Sequence, residues 1–111
     1  MAARRSRRPA VTFETAREIA LRLPGVVEAT SYGTPAFRVR KKLLARLHQD
    51  GDALVVRAEF DAREALLRAK PKAFFVTDHY LAHPWVLVRL AAVSRNDLTD
   101  VLTQAWRDCH G

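Results

Sequence analysis

Residues 34–60, TPAFRVRKKLLARLHQDGDALVVRAEF, restrict the fold more than any other part of the chain. Phe37 and Val39 alternate with Arg38 and Arg40. Leu43, Ala45 and Leu47 then alternate with Leu44, Arg46 and His48, the two-residue period of a pleated strand. The basic RKK at 40–42 is short enough only for a hairpin connection. In QDGD at 49–52, Asp50-Gly51 tolerates the positive φ that a tight β-turn requires. With ALVVRAEF following, these residues predict three consecutive antiparallel strands. Such a meander needs a second layer to cover one of its faces.

The flanking segments supply that layer. Thr12 is placed to cap a helix carrying Ala16, Ile19, Ala20 and Leu23 on one face, and Pro24-Gly25 stops it. Asp61 precedes Glu64 by three residues, a capping-box spacing, and Ala65, Leu66 and Ala69 form the predicted buried stripe before Lys70-Pro71. AFFV at 73–76 is a short apolar run. From Trp85 to Leu90, Val86, Val88 and Leu90 share one face of a strand, while Trp85, Leu87 and Arg89 share the other. Ser94 is placed to cap a last helix with Leu98, Val101, Leu102 and Ala105 inward and Trp106 and Cys109 beside them. The expected order is α-β3-α-β2-α: an α+β two-layer domain with a mainly antiparallel five-stranded sheet. It spans 11–111, behind a flexible Arg-rich arm at 1–10.

A chain of 111 residues suits one domain with its own core. Hydrophobic residues make up 49% and charged residues 28%, which argues against a fully disordered chain. The lone Cys109 cannot form an intrachain disulfide, and MAARRSRRPAVTF has no apolar run after its basic residues. Both suit the cytoplasm, and no membrane association is expected. Net charge is +7; Arg4, Arg5, Arg7 and Arg8 supply four of it, leaving 7 − 4 = +3 for residues 9–111. Such an arm either reaches phosphates or serves solubility.

The stretch SYGTPAFRVRKKLLARL at 31–47, followed by DHYLAHPWVLVRL at 78–90, resembles the MmcQ/YjbR family. Gly33, Pro35, Phe37 and Val39 match its G-x-P-x-F-x-V run, Lys42 its hairpin lysine, and Trp85 to Leu90 its late strand. Lys41 stands where a glycine is often found before that lysine. The resemblance implies an α+β fold of the secretion-chaperone type, also compared with bacterial frataxin, and carries a DNA-binding label. It brings no accepted reaction and no catalytic set.

Alternation puts Arg38, Arg40, Arg46, His48, Arg57, Trp85 and Arg89 on the uncovered sheet face, with Leu44, Val55 and Leu87 between them and Glu59 as the nearby acid. Guanidinium groups bind phosphate in bidentate fashion and Trp85 offers a stacking surface, so DNA is the leading partner. The contact set is Arg38, Arg40, Lys41, Lys42, Arg46, Arg57, Trp85 and Arg89, with Arg40, Lys41 and Lys42 as a wing tip. A face coated with long cations for solubility explains the same pattern. Two other uses compete: a protein-interaction or chaperone-like surface, and a small-molecule pocket near Tyr32, His79, His83 and Trp85. A monomer and a homodimer are both compatible with the sequence.

Chemistry is less well supported. His79 and His83 would share a helix face and could join Asp78 on a metal, but Pro84 pushes His83 away from helical backbone. A loop covering the sheet edge is preferred, and no metal or cofactor is assigned. There is no G-x-S-x-G elbow or phosphate-binding glycine loop. Cys109 beside His110 is read as an inert thiol, and Asp50 and Asp52 as turn residues. A binding protein is expected rather than an enzyme.

Overall fold

The computed structural model describes residues 11–31 and 33–110; the Arg-rich arm at 1–10 and Tyr32 lie outside the described residues. Three helices, α1 (Phe13–Arg22), α2 (Phe60–Ala69) and α3 (Arg95–His110), accompany one antiparallel sheet. Its strands are β1 (Val27–Ser31), β2 (Thr34–Val39), β3 (Lys42–Leu47), β4 (Ala53–Arg57), β5 (Phe74–Phe75) and β6 (Trp85–Arg89), in spatial order β1-β2-β3-β4-β6-β5. The α+β class is as expected.

The sheet has six strands rather than five. The added strand, β1, pairs with β2 from Val27↔Arg38 to Ser31↔Thr34. It lies at an edge where only Ser31 is buried, so burial imposed no apolar alternation on it. A register shift between Phe37 and Arg38 breaks strict alternation farther in, and both Leu44 and Ala45 are buried in the helix-facing core. Leu44 therefore does not lie on the uncovered face.

One sheet face packs on the helices. Phe37, Leu44, Leu54, Val56, Val86 and Val88 meet Ala16, Ile19 and Ala20 of α1 and Leu98, Val101, Leu102 and Ala105 of α3. Phe13 stacks on Phe37 with ring centroids 5.6 Å apart. Each large side chain fully buried here contributes about 1.5–3 kcal/mol. Thr12 is the N-cap of α1, its N–H donating to Thr15 Oγ1 at 3.1 Å, and Gly25 adopts a φ of 80° just past the helix end. Ser94 Oγ accepts the Asp97 N–H at 3.0 Å and so caps α3.

Helix α2 departs from expectation. Its N-cap is Glu59 rather than Asp61, and Ala65 and Ala69 are exposed. The inward stripe is Arg63, Leu66 and Leu67, at i, i+3 and i+4, with Arg63 only 3% exposed. A charge at the head of the stripe disguised its direction.

Candidate nucleic-acid interface on the helix-free sheet face

Pairing registers run one row of residues across the sheet: Ala29, Ala36, Arg46, Val55, Leu87 and Phe75, each opposite the next. Directly opposed residues share a face, and this face is turned away from the helices. Val55, Leu87 and Tyr80 form a second, smaller core there, with Phe75, Val76 and Trp85 packed against it. The 3₁₀ turn Asp78–Tyr80 thus roofs part of the face, and Val55 and Leu87, each 1% exposed, are not available as surface.

Around that roof the arginines are held by carbonyls and rings. Arg57 donates from Nε to Leu43 O at 3.0 Å and lies 4.8 Å from the Trp85 ring centroid. Arg89 donates to Lys72 O at 3.2 Å and lies 4.1 Å from the Phe75 centroid, while Arg38 donates to Lys41 O at 3.3 Å. Neutral partners orient a guanidinium without cancelling its charge. Among the described residues, none of these three forms an ion pair. The pairs that do form are Arg17 with Glu14 and Glu28, Arg95 with Glu18, Lys70 with Asp97, and His48 with Asp50. The hydrogen bond and charge of Glu28 raise the Arg17 pKa above its ordinary value. Except for His48–Asp50, these pairs involve helix residues or the cap of a helix end. Carboxylates therefore reach Arg17, Lys70 and Arg95 around the helices but not Arg38, Arg57 and Arg89 on the sheet face.

At the 40–42 hairpin, Val39 pairs with Lys42, leaving a two-residue turn with φ of 53° at Arg40 and 67° at Lys41. Such turns favour Asn-Gly, because left-handed backbone costs other residues about 1–2 kcal/mol each. Two exposed cations occupy those strained positions. Lys42 does not join them: its Nζ donates to Cys109 O at 3.4 Å at the end of α3. Strand parity points it to the helical side, which corrects its assignment to the wing tip.

Arg46 is also not a surface contact. Only 7% exposed, it donates to the Tyr80 hydroxyl and to Leu47 O, the latter at 3.4 Å. His48 is half-buried beside the 49–52 turn, and Glu59 is exposed at the start of α2. Among the described residues, no three His, Cys, Asp or Glu side chains converge as metal ligands. Cys109 is buried in the core.

Reasoning from sequence missed Arg63. Its Nη1 donates to Tyr80 O at 3.2 Å, His83 O at 2.8 Å and Trp85 O at 3.1 Å, and its Nη2 to Leu81 O at 2.9 Å. One guanidinium therefore gathers the carbonyls of residues 80–85. This fixes the segment carrying Tyr80, His83 and Trp85, which with His79, Leu43, Arg46, Gln49 and Val55 borders a concavity of about 500 Å³. Of the residues proposed for a pocket, His79, His83 and Trp85 are brought together. Tyr32 lies outside the described residues.

The YjbR family model matches residues 21–108, from the end of α1 to the last turns of α3. The chain belongs to the YjbR family. The YjbR fold recurs in the crystal structure of the Deinococcus radiodurans protein DR2400, a DUF419 domain protein. The two superpose with a TM-score of 0.73 at 23% identity, over 89% of this chain and 78% of that one. Over 57 residues this YjbR chain is 39% identical to the uncharacterized proteins Rv2570 of Mycobacterium tuberculosis (strain H37Rv) and Mb2600 of Mycobacterium bovis. The match covers 50% of this chain and 44% of each relative, so it spans less than half of their length.

Proposed function

We propose that this YjbR chain binds DNA through phosphate contacts from the helix-free sheet face, with Arg38, Arg57 and Arg89 on the face and Arg40 and Lys41 at the hairpin tip. The observation that carries this reading is the trio of face arginines that, among the described residues, have no carboxylate partner. Arg17, Lys70 and Arg95 around the helices are paired with carboxylates, whereas the three face arginines are oriented by carbonyls and rings and keep their charge for an external anion. The strained tip supports the same reading, since two cations stand where Asn-Gly would relieve strain. Arg57 over Trp85 adds a cation–aromatic plate suited to sugar or base edges.

The test is fluorescence anisotropy of a labelled duplex with the full chain at increasing salt. Five phosphate contacts predict a log–log slope of about −4.5, hence roughly a 500-fold loss of affinity between 50 and 200 mM salt. Absent binding, or binding insensitive to salt, would remove the proposal.

A further inference from the structure

The concavity beneath the 79–85 segment is not needed for phosphate contacts on the open face. Its polar wall consists of Arg46, Gln49, His79, Tyr80 and His83, with the Trp85 ring among them; Leu43 provides apolar surface, and the buried Val55 lies behind it. Among the described residues, no carboxylate lines it. At about 500 Å³ it falls within the roughly 300–1,000 Å³ range of small-molecule sites. Hydrogen-bond donors, a buried guanidinium and an indole around a volume free of acids complement a ligand that combines negative charge with a flat ring.

The wall is also preorganised. Arg63 takes the carbonyls of Tyr80, Leu81, His83 and Trp85 onto one buried guanidinium, with no carboxylate among its hydrogen-bond partners. Desolvating a cation is costly, and what this one secures is the shape of the segment that walls the concavity. A wall fixed before binding lowers the ordering cost for a ligand. We infer that this concavity is a binding site for one nucleotide unit, a flat base joined to a phosphate, with Arg63 as its positioning residue. Such a unit could come from a free mononucleotide or from an unstacked position in a single strand.

The experiment titrates the full chain with thymidine 5′-monophosphate, thymidine, inorganic phosphate and a short oligothymidylate by calorimetry. Trp106→Phe protein is used in parallel so that Trp85 fluorescence reports the site. The monophosphate is expected to bind at least about tenfold tighter than thymidine or phosphate and to change Trp85 emission. His79→Ala/His83→Ala, which alters two exposed side chains, is expected to weaken the monophosphate at least about tenfold while leaving duplex affinity unchanged. Competition by the oligothymidylate assigns the site to a strand, and its failure to compete assigns it to a free nucleotide. No monophosphate binding, binding no tighter than that of phosphate, or binding indifferent to the histidine pair would overturn the inference. Loss of duplex binding alone would remove the proposed function and leave this site standing.

Discussion

Replacing Arg63 by leucine removes four hydrogen bonds from a side chain that is 3% exposed. A hydrogen bond to a charged group contributes about 1.5–3 kcal/mol, so four would suggest a very large loss. Two effects reduce it. The rehydration of the buried cation, which favours unfolding of the native chain, is absent from the leucine variant, and Leu81 and His83 are exposed, so water can reach their carbonyls. The remaining cost comes from the carbonyls of Tyr80 and Trp85, each losing the guanidinium as a donor at about 1–3 kcal/mol, about 3 kcal/mol in all. With an unfolding entropy of about 2.1 cal/mol/K per residue over 111 residues, Tm should fall by about 13 °C. Arg63→Lys keeps the charge but not the planar fork, and should recover roughly half of the loss. Thermal unfolding by circular dichroism gives the magnitude. Hydrogen exchange at the His83 and Trp85 amides, which bond to Tyr80 O and His83 O, locates it. A leucine variant within about 0.5 kcal/mol of the native chain, with those amides still protected, would refute the assignment of Arg63 as the clasp of this segment.

Three further predictions follow from the same geometry. Arg40→Asn/Lys41→Gly should raise stability by about 1 kcal/mol in a denaturant melt, because Asn-Gly accepts the positive φ at both positions, while duplex affinity falls and its salt slope shrinks by about two. Phe37→Ala should cost about 3–5 kcal/mol by the same melt, because Phe37 is fully buried and stacked on Phe13; a cost under about 1 kcal/mol would contradict its place in the core. Gly51→Ala should cost about 1 kcal/mol from its φ of 82° alone, since nothing crowds the added methyl group.

The meander was legible because turn chemistry and period agreed: Asp50-Gly51 lies in the loop joining β3 to β4, with Gly51 at positive φ, and Val86 and Val88 face the helices as alternation required. The two terminal helices were legible through Thr12, Ser94 and their apolar stripes. Strand β1 was not, since an edge strand with one buried residue leaves little periodic trace. The bulge at Phe37/Arg38 hid the inward turn of Leu44, and the side of Lys42 became clear only once Val39↔Lys42 pairing was known. Of the concavity, His79, His83 and Trp85 were visible as neighbours in sequence. Arg46 and Gln49 join them only through tertiary packing, and a buried Arg63 reads in sequence like any solvated helix charge.

The proposed docking of DNA rests on Arg38, Arg57 and Arg89, which share one sheet face and have no carboxylate partner among the described residues. Two double variants with equal charge loss compare the two sides of the domain: Arg38→Gln/Arg89→Gln on the sheet face and Arg22→Gln/Arg107→Gln on the exposed side of the helices. In duplex titrations across salt, the sheet-face pair should reduce the log–log slope by about two and the helical pair should leave it nearly unchanged. Equal slopes for the two variants would contradict it.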